Sequence, residues 1–392
     1  MRSVDLPEAL PDGSRFLHIG LPKTGTTALQ GALDRARPRL EELGVHNVGK
    51  GRHEMRVAQL ATGALEDYWS GQERWRARWE ELARDFRTSD ARCTFWSSES
   101  LCVAQAPRLP YLAEQLGADT RIVVTLRPLG SLMVSHWQQW LRRRGTESLE
   151  EWAANQFAAV TVDGEVTVEY TRFMPALHRF SLRRIVEEWG AVFGEERIVL
   201  VVPDPADRAR TFRVFERLMG VPELLEAVPE ANASLPYPEA EMLRHFNRAW
   251  TANGGDHPTW MAVMNVLARQ PLRDYTATTT PHPIRAPRWV AERANEYVAA
   301  WNAAVEASGV TVVGDLAHLF VDPAEQPEEV EVPSTVGVAS AGRLMDVAFT
   351  AALRHAAAQP SPATGPPDLT TYDGRALVRE LARRARRRAR GR

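Results

Sequence analysis

The sequence predicts an α/β protein built on a doubly wound parallel sheet. Short strand-like apolar runs alternate along the chain with segments of helical spacing. One run, Arg121–Leu126, is almost continuously β-branched, as in parallel strands buried on both faces. Two runs pass directly through a tight turn into a helix, at Gly20 and at Arg127. This alternation favours right-handed crossovers and helices on both faces of the sheet.

The predicted strands are short runs of apolar, β-branched and aromatic residues at 16–20, 93–97, 121–126 and 197–202. The predicted helices carry apolar residues three and four positions apart. They are 26–33, the segment with Trp75, Trp79, Leu82 and Phe86 on one face, 107–116, 176–193, 241–250 and 289–307. The first begins after Gly25, and the fourth ends at Phe193-Gly194.

The C-terminal part is predicted to be mostly helical from Pro238 onward. A Thr/Pro/His-rich loop at 276–287 separates its two clearest helices, and a loop of this length often carries function. Residues 321–338 and 358–370 are rich in Pro, Glu, Ser and Thr, as linkers are. We therefore predict one domain over 14–320, a linker-rich extension over 321–373 and a basic tail over 374–392.

Composition limits the class of protein. The two cysteines, Cys93 and Cys102, form neither a disulfide framework nor a metal-ligand pattern, which fits a reducing compartment. The N-terminus lacks the apolar run of a signal peptide, and no stretch of about 18 apolar residues is present. The expected location is the cytoplasm.

Charge is unevenly distributed along the chain. The net charge is −2, but nine arginines lie within residues 375–392; removing them and Glu380 leaves 39 basic and 49 acidic residues, a net charge of −10. The tail is predicted to be an exposed basic helix that could make weak contact with anionic membranes. Nucleic acid is not expected as a partner, because no aromatic residues interleave the arginines.

The most specific motif is the turn Gly20-Leu-Pro-Lys-Thr-Gly-Thr-Thr27. A glycine-rich turn that opens a helix presents backbone N–H groups and the positive end of the helix dipole to an anion, so it predicts a phosphate site. A nucleotide-hydrolysing P-loop places lysine directly after its second glycine. Here Thr26 occupies that place and the lysine is Lys23.

This turn resembles the 5′-phosphosulfate loop of sulfotransferases, Pro-Lys-[Ser/Thr]-Gly-Thr-Thr, over all six residues from Pro22 to Thr27. In that family, which includes bacterial members, an arginine after a strand and a serine eight positions later bind the 3′-phosphate of the cofactor. This sequence has Arg127 and Ser135 at that spacing. A guanidinium binds phosphate through two parallel hydrogen bonds, and a hydroxyl in the first turns of a helix adds a donor.

The resemblance covers roughly residues 14–310 and implies an enzyme that transfers a sulfuryl group from 3′-phosphoadenosine 5′-phosphosulfate (PAPS) without a metal. The acceptor is expected to be a hydroxyl or amine of a small molecule or glycan. The implied cofactor-binding residues are Lys23, Thr24, Gly25, Thr26, Thr27, Arg127 and Ser135.

Two features depart from the family pattern. Ala28 stands where many cytosolic members have a tryptophan against adenine, and no Arg-Lys-Gly-x-x-Gly segment follows. Arg285 or Arg288 are candidates to replace the latter on the 3′-phosphate.

Transfer needs a cation on the leaving oxygen and a base for the acceptor proton. Lys23 is predicted for the first role. For the base, Glu99 follows a strand where cytosolic members place a histidine, and His53 has a suitable near-neutral side chain. His18, inside the first strand, is predicted to be a packed residue.

Two other functions stay open from the sequence. A P-loop small-molecule kinase would need magnesium and would leave Arg127 and Ser135 unexplained. A nucleotide-binding protein without turnover would retain the loop alone. The acceptor and the oligomeric state are not determined by these motifs.

Overall fold

A computed structural model describes residues 1–51, 54–64, 73–170, 174–226, 235–269 and 284–358. Its centre is a seven-stranded sheet in which every pair of neighbours is parallel. The strands are β1 (Arg2–Val4), β2 (Ser14–His18), β3 (Val45–Asn47), β4 (Cys93–Ser97), β5 (Arg121–Thr125), β6 (Ile198–Val201) and β7 (Thr311–Val313). Their order is β1-β7-β6-β5-β2-β4-β3. The predicted α/β fold with a parallel sheet is confirmed.

Alternate residues of the central strands β2, β4, β5 and β6 enter two separate apolar cores. Leu17 and Ile122 belong to one core, whereas Phe16 and Phe95 belong to the other. The Phe16 and Phe95 rings stack with their centroids 5.2 Å apart across neighbouring strands. Burial on both faces explains why these strands lack polar alternation in the sequence.

Helices flank the sheet in the order α1 (Thr26–Arg35), α2 (Arg37–Glu42), α3 (Met55–Ala61), α4 (Glu73–Thr88), α5 (Leu109–Leu116), α6 (Leu129–Leu141), α7 (Leu149–Ala159), α8 (Ala176–Phe180), α9 (Leu182–Arg184), α10 (Gly190–Phe193), α11 (Arg210–Met219), α12 (Tyr237–Ala252), α13 (His257–Arg269), α14 (Arg288–Glu306) and α15 (Val338–Ala358). Short 3₁₀ turns occur at Glu99–Val103, Ala106–Arg108, Glu195–Arg197, Leu316–Leu319 and Pro323–Glu325. None of the helices in the described ranges has the length and apolar character needed to cross a bilayer.

The predicted helix 176–193 is interrupted. Ser181 ends α8 and caps α9, since its side chain accepts a hydrogen bond from the Arg184 backbone N–H. A π-helical turn, Ile185–Trp189, then joins α9 to α10. Helical periodicity is present across the whole segment, but α8 ends at Ser181, whose hydroxyl accepts a local hydrogen bond from the Arg184 backbone N–H.

Elements beyond the predicted 14–320 domain also belong to the fold. β1 pairs with β7 at one edge of the sheet, and both strands are only three residues long, too short to show a pattern in the sequence. Helix α15 lies inside the predicted linker-rich extension and buries Leu344, Val347 and Ala351. Residues 276–283 of the predicted loop and 359–392, with the basic tail, lie outside the described residues.

The order in which the chain forms the strands reverses between β2 and β5. From β2 the chain runs outward to β3 and returns to β4; it then crosses to β5 on the other side of β2. Ligands of open α/β sheets bind outside the carboxyl ends of the strands at such a switch point. The segments that follow β2, β4 and β5 all begin at this switch point.

Candidate functional site

The loop between β2 and α1 has three residues in the left-handed region. These are Gly20 (φ 53°), Lys23 (φ 72°) and Gly25 (φ 86°). Glycine adopts such angles without strain, whereas a lysine in this region is conformationally strained. Strained residues of this kind are found mostly at functional sites. Gly25 is the residue immediately before α1, so the chain turns sharply into the helix at this point.

Gly20 is also required by close packing. A side-chain Cβ at this position would lie 2.7 Å from Thr26 Cγ2 and 3.4 Å from Glu99 Cβ. Around Gly25, in contrast, a Cβ would meet no atom within 4 Å. The loop is therefore packed against the protein at Gly20 and open to a ligand at Gly25.

The backbone amides of residues 23–27 face no internal acceptor. Within the described part of the chain, none of these five N–H groups donates a hydrogen bond. Free amides at the start of a helix, curved by left-handed residues, form a concave site for an anion. This geometry supports the phosphate site that the motif predicts.

The threonine hydroxyls of the loop have different partners. Thr24 Oγ1 donates to the Leu21 carbonyl (2.7 Å), and Thr26 Oγ1 donates to Glu99 Oε2. No described residue accepts a hydrogen bond from Thr27 Oγ1. Thr24 and Thr26 can therefore hold a phosphate only through their backbone amides, and Thr27 alone has a free hydroxyl.

A buried hydrogen-bonded chain runs beneath the loop through His18. Its Nδ1 lies 2.8 Å from Ser97 Oγ, and its Nε2 lies 3.1 Å from Thr125 Oγ1. Thr125 in turn lies 2.9 Å from Thr24 Oγ1. The chain connects the ends of β2, β4 and β5 to the loop.

The direction of this chain fixes the protonation of His18. Because Thr24 uses its only hydrogen on Leu21, it must accept from Thr125, which must then accept from His18 Nε2–H. Nδ1 consequently accepts from Ser97. Burial lowers the pKa of His18 to about 3, in agreement with a neutral ring. His18 is packed, as predicted, and positions the loop.

Lys23 lies in a cationic environment. Burial, together with repulsion from Arg142, Arg127 and Arg143, lowers the pKa of Lys23 to about 8, although the Glu99 carboxylate acts to raise it. No carboxylate of the described residues forms an ion pair with Lys23, and an ammonium in such surroundings favours a bound anion.

Arg127 and Ser135 line one cavity of about 710 Å³ outside β5, as the predicted phosphate pair requires. Arg127 Nη1 also donates to the Lys23 carbonyl (2.9 Å), which connects this cavity to the loop. Arg285 lines the same cavity. Arg288 instead pairs with Glu328 at 2.6 Å.

Arg142 and Arg143, at the end of α6, are site residues that the motifs did not reveal. Both keep solvent contact, yet the surrounding protein displaces enough water to lower the pKa of each guanidinium. The run Arg142-Arg-Arg144 is visible in the sequence, but only the position of α6 brings it towards Lys23.

The two candidate bases differ in what the structure describes. Glu99 opens the 3₁₀ turn after β4, and its Oε2 is held by Thr26. No described residue donates to its Oε1. His53 lies outside the described residues, although its neighbour Glu54 forms a close ion pair with Arg78 at 2.8 Å. No group of three or more described His, Cys, Asp or Glu residues is arranged to hold a metal ion.

Comparison with known proteins gives one weak structural likeness. No protein-family model matches the chain, and no curated protein is significantly similar to it. A crystal structure of a sulfotransferase from Alicyclobacillus acidocaldarius is similar at a TM-score of 0.36 and 17% identity, covering 64% of this chain and 99% of that one. A likeness at this level carries no argument about function.

Proposed function

We propose that this protein is a sulfotransferase that moves a sulfuryl group from PAPS to a hydroxyl or amine of a small-molecule or carbohydrate acceptor. The supporting observation is the position of Arg127, which contacts the Lys23 carbonyl and lines the cavity that holds Ser135 and Arg285. Two anion sites thus adjoin each other, as a nucleotide with phosphates on both its 3′ and 5′ oxygens requires.

The residues present fit this donor. The free amides of 23–27 and the open space at Gly25 suit the 5′-phosphosulfate. Arg127, Ser135 and Arg285 would hold the 3′-phosphate, and the apolar wall formed by Val134, Leu235 and Ile284 would contact the adenine that Ala28 cannot stack against. In this proposal Arg285 replaces the missing Arg-Lys-Gly segment.

A nucleotide-hydrolysing P-loop fits less well. Thr26 stands in the place of the lysine that reaches the β- and γ-phosphates in such a loop, and its side chain instead donates a hydrogen bond to Glu99. Arg127 and Ser135 also have no role in that alternative.

The donor supplies an activated sulfuryl group on a phosphate leaving group. The acceptor oxygen attacks sulfur in line, the bond from sulfur to the phosphate oxygen breaks, and adenosine 3′,5′-bisphosphate leaves. Lys23 neutralises the charge that develops on the phosphate oxygen. Glu99 takes the acceptor proton on Oε1, while Thr26 holds Oε2.

Thermal unfolding of the full chain tests the nucleotide assignment. We expect adenosine 3′,5′-bisphosphate to raise the melting temperature without metal, and more strongly than AMP, ADP or ATP with magnesium. Arg127→Ala should weaken bisphosphate binding about tenfold or more and remove its advantage over AMP, because a charged hydrogen bond to the 3′-phosphate is lost. Lys23→Ala should weaken all the nucleotides.

Matched surface variants control for the loss of a positive charge. Arg39→Ala and Lys50→Ala remove exposed cations that pair with Glu42 and Glu81, and both should bind like the wild type. Stabilisation by magnesium-ATP alone would refute the sulfotransferase proposal and favour a kinase. Bisphosphate binding without sulfuryl transfer to any member of a broad acceptor panel would favour a non-catalytic nucleotide-binding protein.

A further inference from the structure

Helix α15 carries an exposed apolar stripe along one side. Met345, Phe349 and Leu353 are four positions apart, so they lie one above another on the helix. Their exposed fractions are 60%, 71% and 67%, and Val338, seven positions before Met345, falls on the same side and is also exposed. We call these four residues the outer stripe.

The opposite side of α15 attaches the helix to the domain. Leu344, Val347 and Ala351 are buried there, and the helix packs against α13. Near the start of α15 the Ser340 hydroxyl donates to the buried Glu239 carboxylate of α12 at 2.8 Å. Because these contacts fix the rotation of the helix, the outer stripe faces away from the core. A helix that is apolar on two opposite sides is expected to have both sides covered.

No charged residue interrupts the outer stripe. Gly342 and Ala352 occupy the other positions on this side of the helix. Asp346, beside the stripe, forms an ion pair with Arg343 at 3.1 Å, so the pair adds no net charge there. An exposed apolar surface of this kind marks a contact with a membrane or with another protein. Helices that lie in the membrane–water interface present large apolar side chains such as phenylalanine and leucine in this way.

The charge of the chain that follows α15 favours a membrane. Residues 375–392 contain nine arginines against one glutamate, a net charge of +8. This tail lies outside the described residues, so only its sequence enters the argument. Fifteen residues, 359–373, connect the helix to the tail, and a chain of that length spans at most about 50 Å. The arginines therefore stay within reach of the surface that the outer stripe contacts, and anionic lipids attract basic residues near that surface.

A second copy of the chain fits the outer stripe less well. In a symmetric pair the two stripes would face each other, and two tails of charge +8 would be brought to the same place. An anionic membrane offers those tails the opposite charge instead. The acidic body also repels such a membrane, but it lies behind α15, and salt screens exposed charges that are more than about 10 Å apart.

We propose that the outer stripe and the basic tail together bind the surface of an anionic membrane. An apolar side chain set and a polybasic segment are the two signals that in combination give stable attachment, whereas one of them alone gives weak, reversible binding. The stripe inserts among the lipid chains and the arginines contact the phosphates of the headgroups. This inference goes beyond the proposed transfer reaction and does not depend on it.

Flotation of the full chain with lipid vesicles tests the proposal. Vesicles made from equal parts of phosphatidylglycerol and phosphatidylcholine are compared with vesicles of phosphatidylcholine alone, at about 0.15 M salt. We expect binding to the anionic vesicles to be at least about tenfold tighter and to weaken as the salt concentration is raised, because the charges of the arginines are then screened.

Three variants separate the two signals. Phe349→Gln removes an apolar ring without changing charge and should weaken binding to anionic vesicles about tenfold or more. Val168→Gln changes an exposed apolar residue outside α15 and should bind like the wild type. A chain that ends at Ala358 lacks the nine arginines and should bind at least about a hundredfold more weakly. All three should keep the melting temperature of the wild type, since none of the changes removes a buried side chain of the described residues.

Four results would overturn the inference. The first is equal binding to both kinds of vesicle, and the second is undiminished binding of Phe349→Gln, which would mean that the tail acts without the stripe. The third is undiminished binding of the chain that ends at Ala358. The fourth is a dimer of the full chain in light scattering that Phe349→Gln converts to a monomer, which would assign the outer stripe to a second copy of the chain.

Discussion

Lys23 combines a left-handed backbone with a side-chain pKa of about 8. Both features are unfavourable in the absence of an anion, and a bound phosphate relieves the second. Folding lowers the pKa of Lys23 from 10.5, so between pH 8 and 10.5 the folded chain binds fewer protons than the unfolded chain. The contribution of Lys23 to the free energy of unfolding therefore rises with pH in this window.

Nucleotide binding should show the opposite dependence on pH. Only the ammonium form of Lys23 attracts the 5′-phosphate, so affinity for adenosine 3′,5′-bisphosphate should fall above about pH 8, by up to about tenfold per pH unit. The guanidinium groups of Arg127, Arg142 and Arg143 stay charged over this range. The carboxylate that raises the pKa of Lys23 is that of Glu99.

Calorimetric titration from pH 7 to 9.5 measures this dependence. Lys23→Met should bind more weakly at pH 7 and show no fall above pH 8, whereas the exposed Lys50→Met should retain the wild-type profile. An unchanged fall in Lys23→Met would assign the titration to another group.

Candidate site residues could be predicted from the sequence only where a motif fixes their spacing. Lys23, Arg127 and Ser135 followed from two short patterns, and the structure brings Lys23 and Arg127 into contact. Arg142 and Arg143 belong to no such pattern, because only the position of α6 in the fold brings them towards Lys23.

At the scale of elements, the conformation of the loop after β2 depends on a buried hydrogen-bonded chain beneath the loop as well as on its own residues. His18 connects it to Ser97 and Thr125, which lie 79 and 107 positions away in sequence. Sequence patterns could predict strand, loop and helix, since each is local. The polar chain beneath them arises from the strand order.

Gly20→Ala should damage this loop more than a similar change elsewhere. The new Cβ would stand 2.7 Å from Thr26 Cγ2, in addition to the cost of a left-handed alanine. Gly13→Ala is the matched control, because Gly13 also has positive φ but open space around it. We expect Gly20→Ala to lower the free energy of unfolding by about 1–3 kcal/mol more than Gly13→Ala, as overpacking does.

Urea unfolding of both variants gives this difference directly. The Gly20→Ala chain should also bind the bisphosphate more weakly, since a displaced Thr26 moves an amide of the anion site and the partner of Glu99. Equal destabilisation of the two variants would mean that the loop relaxes without strain around the new methyl group.

For the whole molecule, the parallel sheet could be predicted from the sequence, but the predicted domain boundary at 320 divides the cavity beside Arg127. Val321, Glu325 and Gln326 line the same cavity as Arg127. Asn295 holds this segment through two hydrogen bonds to the Val321 backbone, at 2.8 and 3.1 Å. Pro- and Glu-rich composition resembles that of a linker, and it cannot show that a segment packs against a helix.

A chain that ends at Phe320 should therefore lose both stability and nucleotide affinity. It lacks part of the cavity wall and exposes the surface that Leu344 and Val347 cover, at about 1.5–3 kcal/mol for each buried side chain. Asn295→Ala in the full chain should weaken bisphosphate binding in the same direction, whereas Asn253→Ala, at an exposed helix end, should not. A chain that ends at Ala358 lacks the basic tail and should bind and melt like the full chain. If the chain ending at Phe320 instead bound the bisphosphate with full affinity, the donor would not occupy the cavity beside Arg127, and the assignment of Arg285 to the 3′-phosphate would fail with it.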